Sequence, residues 1–221
     1  RTLEAAPKHA TLLATLAARL PAHEWRRRMV HMSPGLLAAL LPLIPHTDPM
    51  GWYSIVILLV AIGGTSAYAL KREALFRRKG DGARGWSTSV ISYGLITLAL
   101  VLALPAQPEI AMAVTMVIAF GDGSATMAGM LVRGRRLPWN RDKSWAGLAG
   151  FLLCAIPLAT LAYWAEARPG VALSLACACV APAVLMAALA ESLPVRINDN
   201  IRVGVTAGLT LLVTHAMFVG W

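Results

Sequence analysis

Charge is thin in this sequence, and acidic charge thinnest: 11 Asp and Glu stand beside 20 Lys and Arg in 221 residues, and charged side chains make up 14% of the chain. A soluble domain carries about 25%, so an ordinary water-soluble fold is excluded. Cysteine is equally sparse. Cys154, Cys177 and Cys179 each lie inside an apolar run, which excludes a disulfide framework and offers no metal-ligand spacing, so they read as small hydrophobes on helices. The phosphate-binding pattern Gly-x-x-x-x-Gly-Lys-Ser/Thr is missing, and there is no internal repeat, low-complexity stretch or heptad pattern. What abounds is apolar: 57% of residues are hydrophobic and the mean hydropathy is +0.63. The net charge of +9 is carried in short clusters between apolar runs and not along one polar face. That argues against nucleic acid as a partner and suits anionic lipid headgroups or a phosphorylated substrate. The chain opens on Arg1 instead of Met, compatible with removal of a leader.

A helix that spans a bilayer needs roughly 20 apolar residues, and hydrocarbon tolerates only structures that satisfy their own backbone. Seven apolar runs are taken as spans, the first of them short: Val30–Ile44, Trp52–Leu70, Trp86–Leu104, Ile110–Val132, Trp145–Ala165, Val171–Ala190 and Ile201–Trp221. The expected fold is an all-α polytopic transmembrane bundle of about seven helices. It comprises an N-terminal segment, 1–24, and one transmembrane catalytic domain, 25–221. In the first segment Leu12, Leu13, Leu16 and Leu20, with Lys8 and Arg19, suggest a surface amphipathic helix or a loose tail. The first span carries Pro34, Gly35 and Pro42 and is expected to be broken or partly re-entrant. Basic residues then set the orientation. Arg26–Arg28, Lys71, Arg72, Arg77, Arg78, Lys79, Arg84, Arg133, Arg135, Arg136, Arg141, Lys143, Arg196 and Arg202 fall on one side, against Arg168 alone in the opposite links. The N-terminus and the basic face are therefore cytoplasmic. The wealth of Ala, Arg and Leu suggests a bacterial inner membrane.

Ionisable groups in membrane segments cost roughly 2.5–3.5 kcal/mol or more each, which makes them functional candidates. Asp122 lies between Gly121 and Gly123 in the fourth run; Glu191 ends the sixth; Asp199 opens the seventh between Asn198 and Asn200. A carboxylate beside bare backbone suits a hard cation such as Mg²⁺, with phosphate oxygens completing its shell. Five cations in the eleven residues Arg133–Lys143 suit a polyphosphate, and Lys143-Ser144 opens a helix whose free N–H groups favour anions. Arg27, Arg28 and His31 share a helix face through i,i+4 and i,i+3 spacing. The bland alternatives are small-residue packing for the glycines, capping for Asn198 or Asn200, and a basic membrane anchor for the arginines. His9, His23, His46 and His215 lack such company and read as surface or packing residues. All the functional polar groups cluster at one face. Carboxylates, cations and a histidine together form the inventory of phosphoryl or nucleotidyl transfer.

These residues resemble the dolichol kinase and phytol kinase family of membrane lipid kinases, which includes CTP-dependent diacylglycerol kinases and is distantly related to phosphatidate cytidylyltransferases. The resemblance runs from about Arg26 to Gly208. Arg27-Arg28-x-x-His31 with Gly35 is similar to the family's Arg-Lys-x-x-His-x-x-x-Gly. Gly121-Asp122 with Ala125 and Gly129 is similar to Gly-Asp-x-x-Ala-x-x-x-Gly, and Lys143-Ser144 with Gly147 to Lys-Ser-x-x-Gly. Glu191 with Asn198-Asp199-Asn200 is similar to Glu-x6-Asn-Asp-Asn. Arg28 stands where Lys is usual, Ala146 where an acid is frequent and Gly204 in place of a proline.

The resemblance implies a CTP-dependent, Mg²⁺-requiring kinase acting on a membrane isoprenoid alcohol of polyprenol, dolichol or phytol type. The metal would be held by Asp122, Asp199 and Glu191. The nucleotide would be held by Arg27, Arg28, His31, Gly121, Gly123, Lys143, Ser144, Asn198 and Asn200, with Asp122, Asp199 and Lys143 as the catalytic set. Asp122 and Asp199 are both candidates for the proton acceptor. Diacylglycerol kinase, phosphatidate cytidylyltransferase and a small transporter are the alternatives, the transporter disfavoured because its polar sites belong nearer the midplane. A homo-oligomer is compatible with the sequence.

Overall fold

The computed structural model describes residues 22–72, 83–132 and 134–221. The amphipathic reading of residues 1–21, the basic cluster Arg77–Lys79 and Arg133 lie outside the described residues, and the side chains of His23 and Arg84 do too. The helices are α1 (Ala22–Leu40), α2 (Trp52–Lys71), α3 (Ala83–Ala103), α4 (Pro108–Met116), α5 (Gly123–Val132), α6 (Trp145–Glu166), α7 (Leu173–Ser192) and α8 (Asp199–Phe218). A π-helical turn over Val117–Asp122 joins α4 to α5 without a break, so the eight labels make seven rods, as the apolar runs predict. Among the described residues, five rods are long and apolar enough to cross a membrane: Trp52–Lys71, Pro108–Val132, Trp145–Glu166, Leu173–Ser192 and Asp199–Phe218. The other two fall short of that measure. The apolar part of α3 is Thr88–Ala103, and α1 carries Glu24 and Arg26–Arg28 in its first half.

The rod Pro108–Val132 is the centre of the bundle. Every residue of α4 is buried, and this rod contacts α1, α3, α6, α7 and α8. α2 is the periphery: it packs on α3 and barely touches α1, leaving Val56, Ile57, Val60 and Tyr68 exposed.

The first span is not broken where its proline and glycine fall. Pro34 has no N–H to offer the carbonyl one turn earlier, which is Val30, but Ser33 Oγ donates to Val30 O at 2.8 Å. The lost bond is replaced and α1 runs on to Leu40, ending in a 3-10 turn, Leu41–Leu43, that contains Pro42. The helix also starts earlier than the apolar run, because Glu24 is buried and Ala22–Glu24 belong to α1. Gly35 is where α1 meets the core, since a Cβ there would lie 2.6 Å from the Phe120 ring and 2.7 Å from Ala119 Cβ.

Small residues set the other close approaches, as is usual between membrane helices. A Cβ on Gly147 would sit 2.9 Å from the Ala125 carbonyl oxygen. One on Gly150 would sit 2.5 Å from Ala128 Cβ, and Ser124 Oγ donates across the same seam to Gly150 O at 2.9 Å. The three cysteines are free, with Cys179 buried.

A second set of buried polar residues lies away from the functional groups that the sequence places at one face. His46 Nε2 lies 2.7 Å from Glu166 Oε1, Tyr163 Oη lies 2.6 Å from His215 Nδ1, and His215 Nδ1 is 3.8 Å from Glu109 Oε1. Glu109, Glu166 and His215 are buried. His46 and His215 therefore have acidic company, contributed by segments far away in sequence, where no local spacing could reveal it.

Because the atoms that face Gly150 are a Cβ and backbone, neither can swing aside. Gly150→Ala is expected to destabilise the bundle by about 1–3 kcal/mol, read as a lowered thermal midpoint in detergent by circular dichroism. Gly170→Ala, where a Cβ meets nothing within 4 Å, should leave the midpoint in place.

Candidate active site

At the end of the bundle opposite the His46–Glu166 pair, five chain segments converge. The central rod delivers Asp122 at the last residue of its π turn. Such a turn inserts a residue into the helical count and shifts the phase of the next helix, and π turns of this kind are frequent at functional sites. Asp122 is buried and accepts from Arg28 Nη1 at 2.8 Å. His31, one turn further along α1, has Nε2 3.4 Å from Asp122 Oδ2 and 3.1 Å from the Ile118 carbonyl oxygen. A carbonyl only accepts, so in the neutral ring Nε2 carries the hydrogen. The His31 ring tilts against Tyr93 of α3, with centroids 5.3 Å apart.

The second group is brought in by the loop between α5 and α6, which folds as a small hairpin. Leu137 N donates to Lys143 O at 3.0 Å and Trp145 N to Arg135 O at 3.0 Å. The tip is hooked onto the end of α7, where Trp139 Nε1 donates to Ser192 Oγ at 3.1 Å and Asn140 Nδ2 to Ser192 O at 3.0 Å. This clamp carries Lys143 to Glu191. Lys143 Nζ donates to Glu191 Oε1 and stands 3.4 Å from Asp199 Oδ2. Burial pulls the Lys143 ammonium toward lower pKa, but Glu191 and Asp199 outweigh it and hold the pKa above the ordinary lysine value.

Asp199 Oδ1 also accepts from Arg202 Nη2. Arg202 Nη1 reaches the Leu193 carbonyl at 2.7 Å, locking the turn between α7 and α8. Carboxylate oxygens of Asp122, Glu191 and Asp199 lie within 4.8 Å of one another. They face a cavity of about 730 Å³ that Arg27, Arg28, Arg136 and Lys143 also line. A smaller chamber of about 380 Å³ adjoins it, sharing Arg27, Arg28, Asp122 and Asp199 and adding His31, Asn198 and Asn200.

Most residues expected from sequence are therefore brought together: Arg27, Arg28, His31, Asp122, Lys143, Glu191, Asn198, Asp199 and Asn200 all line one or both chambers or pair within them. Others have their polar atoms committed. Ser144 lines the larger cavity, but its Oγ accepts from Gly147 N at 3.1 Å and caps α6. Asn198 caps α8 through Asn200 N at 3.0 Å and accepts from Ser92 Oγ at 2.9 Å, while Asn200 Nδ2 donates to Ser89 O at 2.8 Å. Both asparagines thus fasten α3 to the start of α8.

Gly121 and Gly123 line neither chamber. A Cβ on Gly121 would fall 2.5 Å from Phe151 Cζ and one on Gly123 2.3 Å from Met32 Cε. Their open sides serve packing beside the aspartate.

Sequence reasoning counted Arg202 only for orientation, although its place three residues after Asp199 on a helix is an ion-pair signal. Ser89, Ser92 and Tyr93 carry no signal short of the fold.

Three curated plant proteins are similar to this chain. Probable phytol kinase 2, chloroplastic, of Glycine max is 28% identical over 210 residues, covering 87% of this chain. Probable phytol kinase 1, chloroplastic, of Oryza sativa subsp. japonica is 28% identical over 222 residues, covering 91%. Probable phytol kinase, chloroplastic, of Zea mays is 29% identical over 216 residues, covering 87%. The chain spans 65%, 67% and 66% of the length of these relatives, respectively. The expected bacterial inner membrane finds no support in names that are all chloroplastic. No family model matches the chain, and no solved structure matches it. The chain thus has helices suited to several membrane crossings and is similar to these three phytol kinases along most of its length.

Proposed function

We propose that the protein is a membrane lipid-alcohol kinase that transfers the terminal phosphoryl group of a nucleoside triphosphate, CTP by the resemblance, to the hydroxyl of an isoprenoid alcohol. One observation carries this reading: three carboxylates within 4.8 Å of one another share a cavity with Arg27, Arg28 and Lys143. That arrangement offers opposite charges to a metal and to phosphate oxygens in one space. The phytol kinase relatives name the alcohol class for themselves and support extending it to this chain.

The donor set fits a hard divalent cation, since it is all carboxylate oxygen and opens on a cavity large enough for phosphates. Asp122, Glu191 and Asp199 are the residues that would hold Mg²⁺. A bound Mg²⁺ supplies charge neutralisation and Lewis acidity to the triphosphate. Arg27, Arg28 and Lys143 orient the phosphates and stabilise negative charge on the transferring group and on the departing nucleoside diphosphate. The alcohol O–H bond breaks as its oxygen bonds to the terminal phosphorus, and the bond from that phosphorus to the diphosphate oxygen breaks in turn. The proton passes to a carboxylate of the cluster, Asp122 or Asp199, and Arg28 and His31 hold the Asp122 carboxylate in position. Glu191 keeps Lys143 directed into the cavity. The active face is cytoplasmic by the charge asymmetry of the links.

Purified protein with Mg²⁺, γ-labelled CTP or ATP, and a panel of polyprenol, phytol, diacylglycerol and phosphatidate is expected to give labelled lipid monophosphate from CTP and an isoprenoid alcohol. Label released only as pyrophosphate with phosphatidate would assign a cytidylyltransferase instead. Asp122→Asn should lower turnover by roughly 10²–10⁴-fold while the protein stays folded and inserted, and near-normal activity would remove Asp122 from the mechanism. Lys143→Met should raise the KM for the nucleotide at least tenfold. An unchanged KM in that variant would take Lys143 away from the phosphates.

A further inference from the structure

A third cavity, of about 480 Å³, lies between α1, α2 and α3 and differs in kind from the charged chambers. Its wall is mostly apolar, including Pro34, Ile62, Gly64, Val90 and Tyr93. It exists because α2 leans on α3 and leaves α1, so the cleft between α1 and α2 is not filled by side chains. The helix that forms its outer wall is the most exposed span of the bundle. Two residues line both this cavity and the adjoining polar chamber: His31 and Ser89. The His31 ring, 3.4 Å from the Asp122 carboxylate, is therefore the partition between apolar and charged space.

We infer that this cavity holds the hydrocarbon chain of the acceptor alcohol, with its hydroxyl delivered to Asp122 past His31 and Ser89. This rests on the kinase reading and extends it by locating the acceptor. The volume falls in the range of roughly 300–1,000 Å³ typical of small-ligand pockets. Among the described residues its lining has no Lys or Arg, which suits an apolar ligand better than a nucleotide. The occupant is a single chain and not a pair of acyl chains, because the apolar cavity that adjoins it past Pro34, Ile62 and Thr97 offers about 20 Å³, too little for a second tail. The same placement moves His31 from the nucleotide, where the sequence put it, to the acceptor side: it lines the apolar cavity and not the 730 Å³ one. His31 acts there as a positioning residue, its Nε2–H directed at Asp122 and the Ile118 carbonyl.

Adjacent glycines on α2 provide the test. A Cβ on Gly63 or on Gly64 meets nothing within 4 Å, so both tolerate a side chain, but Gly64 lines the cavity and Gly63 does not. Gly64→Phe should lower kcat/KM for phytol or a polyprenol at least tenfold through KM, with the KM for CTP unchanged, and Gly63→Phe should match the wild type. In parallel, geranylgeraniol bearing a terminal diazirine is photolysed with the wild-type protein and the adducts are mapped by mass spectrometry. Adducts on α1, α2 and α3 around Pro34, Ile62 and Tyr93, lost in Gly64→Phe and kept in Gly63→Phe, are expected. Adducts elsewhere, or equal labelling of the two variants, would overturn the inference whether or not the protein is a kinase. Phosphorylation of diacylglycerol as readily as of phytol would overturn the single-chain assignment. Absence of any phosphorylated lipid with the crosslinks as expected would remove the kinase reading and leave the cavity as an isoprenoid site.

Discussion

The buried ion pair between Arg28 and Asp122 is the constraint around which the active end is organised. Asp122 is part of the most deeply packed rod, and a carboxylate so buried needs a partner that arrives with its own backbone satisfied. α1 supplies that partner, and to do so it must lie close against the π turn, which Gly35 permits and Ser33 protects by replacing the bond lost at Pro34. Once α1 is docked, His31 is carried beside Asp122 and Tyr93. α2, joined to α1 by a link at the far end, is left on the periphery. The chamber between them results from that order of packing.

A second clamp acts on the other half of the site. The hairpin hooked on Ser192 fixes Lys143, Lys143 meets Glu191 and Asp199, and Arg202 closes the turn that separates those two acids. The charges alternate in sign along this path, so each cation keeps neighbouring carboxylates from repelling one another. The three carboxylates can therefore remain close together before any cation arrives from solution.

Sequence reasoning reached the rods, their order and most of the converging side chains, because apolar length and isolated charge are local properties. Asp122, Glu191 and Asp199 stand out in apolar surroundings wherever they are read. It failed where the deciding partner lies far along the chain. Pro34 and Gly35 look like a break until Ser33 and the Phe120 ring are seen, and His46 and His215 look solitary until Glu166, Tyr163 and Glu109 arrive from other segments. Gly121 and Gly123 flank a buried carboxylate, yet they make room for Phe151 and Met32, residues 30 positions later and 91 earlier. The apolar cavity has no signature in sequence at all, since it is the space that two helices decline to fill.

The unequal burial of the rods has a mechanical consequence. The central rod is surrounded by protein, so the height of Asp122 is set by its neighbours and not by lipid. α2 faces outward along most of its length and must adjust its tilt when the hydrocarbon thickness changes, at a cost of fractions of a kcal/mol per Å of mismatch. A thicker or thinner bilayer therefore reshapes the apolar chamber while leaving the charged one unmoved. Under the proposed function, the composition of the surrounding membrane becomes a control on acceptor capture that operates without any change at the charged groups.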